Sequence, residues 1–108
     1  MPRTLPNRLT LDREPDGARR AVEDAAAIDG WQVISAASDR LTLREVPRGA
    51  PTSTFAAQVA VHLVSVPGGP QTLIQLDAFS VGLGRIQRGH MYARVEELKR
   101  AIVACAAR

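Results

Sequence analysis

Two-residue alternation runs from Phe55 to Val66, with Phe55, Ala57, Val59, Val61 and Leu63 on one parity and Gln58, Ala60, His62 and Val64 on the other. Period two with many β-branched residues predicts a strand. Pro67-Gly68-Gly69-Pro70 breaks the run with two residues that accept positive φ and two that cannot donate to a ladder, and Gln71 to Val81 is strand-like again. A hairpin is therefore expected. If the four turn residues are unpaired, Val66 faces Gln71, and the pairs after it, Leu63 with Ile74, Val61 with Leu76, Val59 with Ala78 and Ala57 with Ser80, all share the apolar face. A slip of one residue would set Leu63 against Leu73 and Val61 against Gln75 and mix the faces, so the first register is favoured. The opposite face carries Gln58, Ala60 and His62 against Phe79, Asp77 and Gln75.

Helical spacing replaces alternation towards both ends. Pro15-Asp16-Gly17 marks a start with Asp16 as N-cap, Ala18, Ala21, Val22, Ala25 and Ile28 recur at steps of three and four, and Asp29-Gly30 closes the run. From about His90 to Ala106 a second stripe comprises Met91, Val95, Leu98, Ile102 and Cys105, with Tyr92 beside it and Glu96 one turn from Arg100. Trp31 to Ala37 and Arg40 to Val46 form a further hairpin around Ser38-Asp39. Its register stays open: pairing Ile34 with Leu43 and Ala36 with Leu41 turns Trp31 and Val33 outward, whereas a three-residue turn brings them inward. The expected fold is α+β, a two-layer sandwich of a four-stranded antiparallel sheet from two hairpins, with an N-terminal and a C-terminal helix on one face. Residues 1–15 read as an arm that can add a short edge strand through Leu9 and Leu11, and residues 16–108 as one α+β domain. A sheet covered on one side leaves its other face to solvent or to a partner.

Composition narrows the class without naming a task. With 45% apolar and 23% charged residues the chain is expected to be a soluble domain, and its net charge of +3 favours anionic partners. No apolar run approaches the roughly 18 residues of a membrane span, and Met1 to Thr10 is polar with prolines at 2 and 6, so a cytoplasmic location is expected. Cys105 is the only cysteine, which excludes an internal disulfide, and its place on the closing stripe reads as core filler.

Gly30-Trp31-Gln32-Val33, the hairpin after it, and Ser80-Val81-Gly82 leading through Arg85 to Arg94 and Leu98 resemble a bacterial family of small domains of unknown function. Its members place a glycine and an aromatic before the first strand, and a serine, glycine and arginine stretch before a closing helix. The resemblance spans about residues 18–104. It implies two helices on a sheet and supplies no catalytic residue.

Candidate chemistry is sparse. Gly82, Gly84 and Gly89 lie between strand and helix, but Gln87 stands where a dinucleotide fingerprint needs glycine and no Lys-Ser or Lys-Thr pair follows Gly89. No cofactor is expected. His62 lies diagonal to Asp77 and could be oriented by it as a general base, yet nothing identifies a nucleophile, so these two are the only catalytic candidates. His62 and His90 lack the further ligands of a zinc site, and no metal is expected. Arg40, Arg44 and Arg48 recur every four residues, but nucleic-acid binding would need stacking aromatics that a chain with four aromatics does not supply. The sharpest ligand site is Arg85, Arg88, His90 and Arg94 around the start of the last helix, where free amides and guanidinium groups would attract an anion. The expected function is a non-enzymatic domain that binds a partner protein or a small anionic ligand. A small-molecule enzyme or hydrophobic-ligand carrier, with a cavity between the sheet and the closing helix, is the rival reading. Self-association through the open sheet face, which carries Val64, Leu73 and Phe79, is the third.

Overall fold

The computed structural model describes residues 8–46, 58–79 and 85–107; the side chains of Phe79, Arg85–Arg88 and His90 are outside what it describes. The elements are β1 (Arg8–Leu11), α1 (Pro15–Asp29), β2 (Trp31–Ala37), β3 (Arg40–Glu45), β4 (Gln58–Val66), β5 (Gln71–Phe79) and α2 (Arg85–Ala106). Together they make an α+β fold with one antiparallel sheet in the order β1-β5-β4-β3-β2.

Pairing in the central hairpin follows the apolar parity, with Leu63 facing Ile74, Val61 facing Leu76 and Val59 facing Ala78, and Val66 faces Gln71 beside the turn as expected. Gly68 turns the chain at φ 97°, a conformation that an L side chain would strain. The sheet has five strands rather than the expected four. Leu9 pairs with Ile74 and Leu11 with Thr72, which extends the inward apolar rows across β1, and the Thr72 hydroxyl donates to the Arg13 carbonyl at 2.8 Å.

The open register of the β2-β3 hairpin resolves through a bulge. Ala36 faces Leu41 across a two-residue turn, and a register shift at Ile34 then sets Val33 opposite Leu43 and Trp31 opposite Glu45. One inserted residue thus lets Trp31 reach the core at one end of β2 while Ala36, itself exposed, stays opposite Leu41 at the other, a combination that neither uniform register could give.

Helix boundaries differ from the expected ones at both starts. Glu14 is the N-cap and Pro15 occupies the first turn, where its missing N–H costs nothing, so Asp16 lies inside the helix rather than capping it. Gly30 ends α1 in the left-handed region at φ 80°. At 100° per residue Ile28 falls about 80° to one side of Ala18, whereas Asp29 falls within about 20° of it. Accordingly Ile28 is 59% exposed, and the buried stripe is Ala18, Ala21, Val22, Ala25 and Ala26. α2 begins at Arg85, five residues before the expected start, and includes Gly89. Within α2 Glu96 pairs with Lys99 at 3.2 Å.

α1 and α2 pack against each other over the inward face of the sheet, in a single core. Alanines bring α1 close to its neighbours, while Leu41, Leu43, Val59, Val61, Ile74, Leu76, Val95, Leu98 and Ile102 supply the apolar volume and are almost wholly buried. Cys105 is partly buried against this core. Among the described residues no helix is long and apolar enough to cross a membrane.

Gly89 has open space where a Cβ would stand. Gly89→Ala should therefore raise unfolding free energy by about 0.5–1 kcal/mol, because alanine loses less backbone entropy in a helix. Urea denaturation checks this, and an unchanged midpoint would speak against a helical residue 89.

Candidate functional site

Arg94 is the first site residue to place, and it does not belong to the start of α2. Nine residues separate it from Arg85, about 13.5 Å along the helix axis. Its position is three after Met91 and four before Leu98, which puts it on the buried stripe, and its side chain is only 10% exposed. Three acidic residues meet it there. Its Nε donates to Glu45 Oε2 at 2.8 Å, and Nη1 donates to Glu97 Oε2 at 2.6 Å and Asp29 Oδ2 at 3.2 Å. Nη2 donates to the Asp29 carbonyl. The guanidinium carbon lies 5.1 Å from the centre of the Trp31 ring, and Trp31 Nε1 donates to Asp29 Oδ2 at 2.9 Å.

Each partner arrives by an ordinary local rule. Asp29 continues the Ala18-Val22-Ala25 stripe by one turn, Glu45 shares the inward parity of Leu41 and Leu43, and Trp31 follows the Gly30 turn into the core. No basic residue lies in the last turn of α1, so Arg94 supplies from α2 the positive charge that a helix C-terminus favours. Burial alone would weaken the hold of Arg94 on its proton, but the charge of Asp29, then the hydrogen bond and charge of Glu45, then the charge of Glu97, outweigh it and raise its pKa. The cluster clasps the end of α1, the end of β3, the start of β2 and the middle of α2. A guanidinium so engaged by the chain's own carboxylates is a structural tie, and its place among the anion-binding candidates is corrected accordingly. The side chains of Arg85, Arg88 and His90 lie outside the described residues, as do Ser80 and the loop glycines Gly82 and Gly84.

The catalytic candidates are brought near each other on the face away from the helices. His62 Nε2 is 3.9 Å from Asp77 Oδ2, too far for a hydrogen bond, and their side chains are 31% and 72% exposed. Directly across from His62 stand Arg40 and Gln75, neither of them a nucleophile. A cavity of about 620 Å³ opens elsewhere, between the start of α1 and the β4-β5 turn; Glu14, Asp16, Ser65 and Gln71 line it, and neither His62 nor Asp77 reaches it. Among the described residues no group of three or more His, Cys, Asp or Glu side chains is arranged to hold a metal ion.

Sequence reasoning missed the pattern on the outward face. Arg40 pairs with His62, His62 with Gln75 and Gln75 with Arg8, so one row of polar side chains crosses four strands. The strand spacing puts Arg8 about 14 Å from Arg40 along this row, and Arg44 lies about 14 Å from Arg40 along β3. Arg8, Arg40 and Arg44 are exposed, and Asp77 is the acidic residue that shares their face among the strand positions. Parity on β3 and β4 already held the Arg40, Arg44 and His62 part of this pattern; adding Arg8 required the pairing of β1 with β5.

No protein-family model matches the sequence, and no curated protein sequence matches it.

Removing the Arg94 guanidinium strands buried carboxylates. Arg94→Ala should lower stability by about 3–5 kcal/mol, and Arg94→Lys should recover only part of this because an ammonium cannot serve the same fork of acceptors. Urea unfolding of both variants measures the difference. A loss below about 0.5 kcal/mol for the alanine variant would mark Arg94 as an ordinary surface cation instead.

Proposed function

We propose that this domain is a non-enzymatic binding module whose uncovered sheet face receives an acidic segment of a partner protein. One observation carries the reading: Arg8, Arg40, Arg44 and His62 share an open face with a single acidic strand residue, Asp77. Opposite charge across an interface steers encounter and sets orientation. The same face offers short-range apolar contact at Val64, 45% exposed, and its cross-strand neighbour Leu73. Glutamines at 58 and 75 add donors and acceptors for a peptide backbone. An extended acidic peptide repeats on one side about every 7 Å, so carboxylates four residues apart span about 14 Å, the separation of Arg40 from Arg44.

A protein partner suits this face better than nucleic acid. Stacking of bases needs several rings, and of the chain's four aromatics Trp31 is in the core and Tyr92 is on α2. His62 and Asp77, 3.9 Å apart with side chains 31% and 72% exposed, give the rival enzymatic reading less support than the row of cations gives this one.

Fluorescence anisotropy with labelled acidic peptides, carrying Glu or Asp at every fourth position among apolar residues, tests the proposal. Binding should weaken with added salt and fall by about tenfold or more in an Arg40→Glu, Arg44→Glu double variant. Equal binding by the variant, or tighter binding of single-stranded DNA at matched charge, would overturn it.

A further inference from the structure

The sheet ends in two unlike edges. β1 is short, begins with Arg8, and is followed by residues that other parts of the chain hold: Gln71 Nε2 donates to Asp12 Oδ1 at 3.0 Å, and Thr72 donates to the Arg13 carbonyl. β2 is seven residues long and reads Trp-Gln-Val-Ile-Ser-Ala-Ala, without a charge or a proline. Among the described residues no strand pairs with its free side. Short strands, charges, prolines and bulges are the usual guards of a sheet edge, and of these β2 has only the bulge at Ile34, which leaves Trp31–Val33 and Ser35–Ala37 as two uncharged halves.

Exposed apolar side chains gather at this edge. Val33 is 37% exposed and Ile34 46%. Ile28, 59% exposed, sits in the last turn of α1 just before Gly30 leads into β2. Val46, 45% exposed, is fixed beside the same point, because its N–H donates to the Gly30 carbonyl at 2.9 Å. These four account for most of the large exposed hydrophobics among the described residues.

Charge identifies the occupant. The basic face would repel a second copy of itself, which argues against self-association by stacking of sheet faces. β2 meets no such repulsion: opposed to its own copy across a two-fold axis, an uncharged strand faces an uncharged strand, and apolar Ile28 and Val46 flank both. An acidic partner, by contrast, would find no cation on this strand. We infer that two copies of the chain pair antiparallel through β2 and join two five-stranded sheets into one of ten strands. The axis stands perpendicular to the sheet, so both basic faces look the same way and form one doubled surface. The bulge at Ile34, the middle residue of β2, lies at the axis and divides the strand into Trp31–Val33 and Ser35–Ala37. This inference is independent of the acidic-peptide reading.

Sedimentation equilibrium over a wide concentration series tests it in the wild type, in Ile34→Lys and in Val64→Lys. The wild type and Val64→Lys should reach twice the chain mass, and Ile34→Lys should stay at the mass of one chain with unchanged circular dichroism. Amide exchange gives a second reading that needs no variant: protection in β2 should rise with protein concentration. A wild type that remains monomeric with β2 exchange independent of concentration overturns the inference. So does a dimer that survives Ile34→Lys, or one that is lost in Val64→Lys. Loss of acidic-peptide binding in Arg40→Glu, Arg44→Glu with the dimer intact would leave the two surfaces separate, as inferred.

Discussion

The guanidinium of Arg94 ties together parts of the fold that apolar packing alone would leave free to slide. α1 presents mostly alanine to its neighbours, so its contact is close but small in area, and sideways shifts would lose little. Hydrogen bonds behave differently because they fail within a fraction of an ångström. With Asp29, Glu45 and Glu97 converging on one planar cation beside Trp31, the end of α1, the end of β3 and the middle of α2 have one relative placement that satisfies all of them. Burial raises the stakes, since an unpaired charge there costs far more than a mismatched methyl group.

The tie also explains the bulge in β2. Trp31 must turn inward to lie under Arg94, and the two-residue turn sets Ala36, although exposed, opposite Leu41, yet their separation of five residues gives them opposite parity in a regular strand. An inserted residue reconciles the two demands. Its consequence is felt at the surface, where Ile34 and Val33 are left open on the outer edge of the sheet. The core constraint and the candidate docking edge are therefore two ends of one local adjustment.

A division of labour between the surfaces follows from where charge is placed. Acidic residues near the helices are partly consumed by the Arg94 clasp, whereas the arginines of β1 and β3 stand on the uncovered face. The modest net charge of the chain therefore understates how basic that face is. Its neutral edge and its basic face are chemically distinct.

Local pattern determined the elements, the register of the β4-β5 hairpin and the inward rows of the sheet, because a period of two or of 3.6 fixes which residues share a face whatever lies opposite. The same periodicity set Arg94, Asp29 and Glu45 in line with apolar stripes, and one cation and two anions on three such stripes were a readable sign of a buried ion cluster. Only tertiary structure could decide that they meet, since their sequence separations leave the geometry of encounter to packing. It likewise decided that Arg94 serves the core rather than the start of α2, because moving a helix start by five residues changes which side chains stand at its end. The alternation of Leu9 and Leu11 allowed a short edge strand, but its pairing with β5, and with it the row from Arg8 to Arg40, was decided there, because the two segments lie more than sixty residues apart.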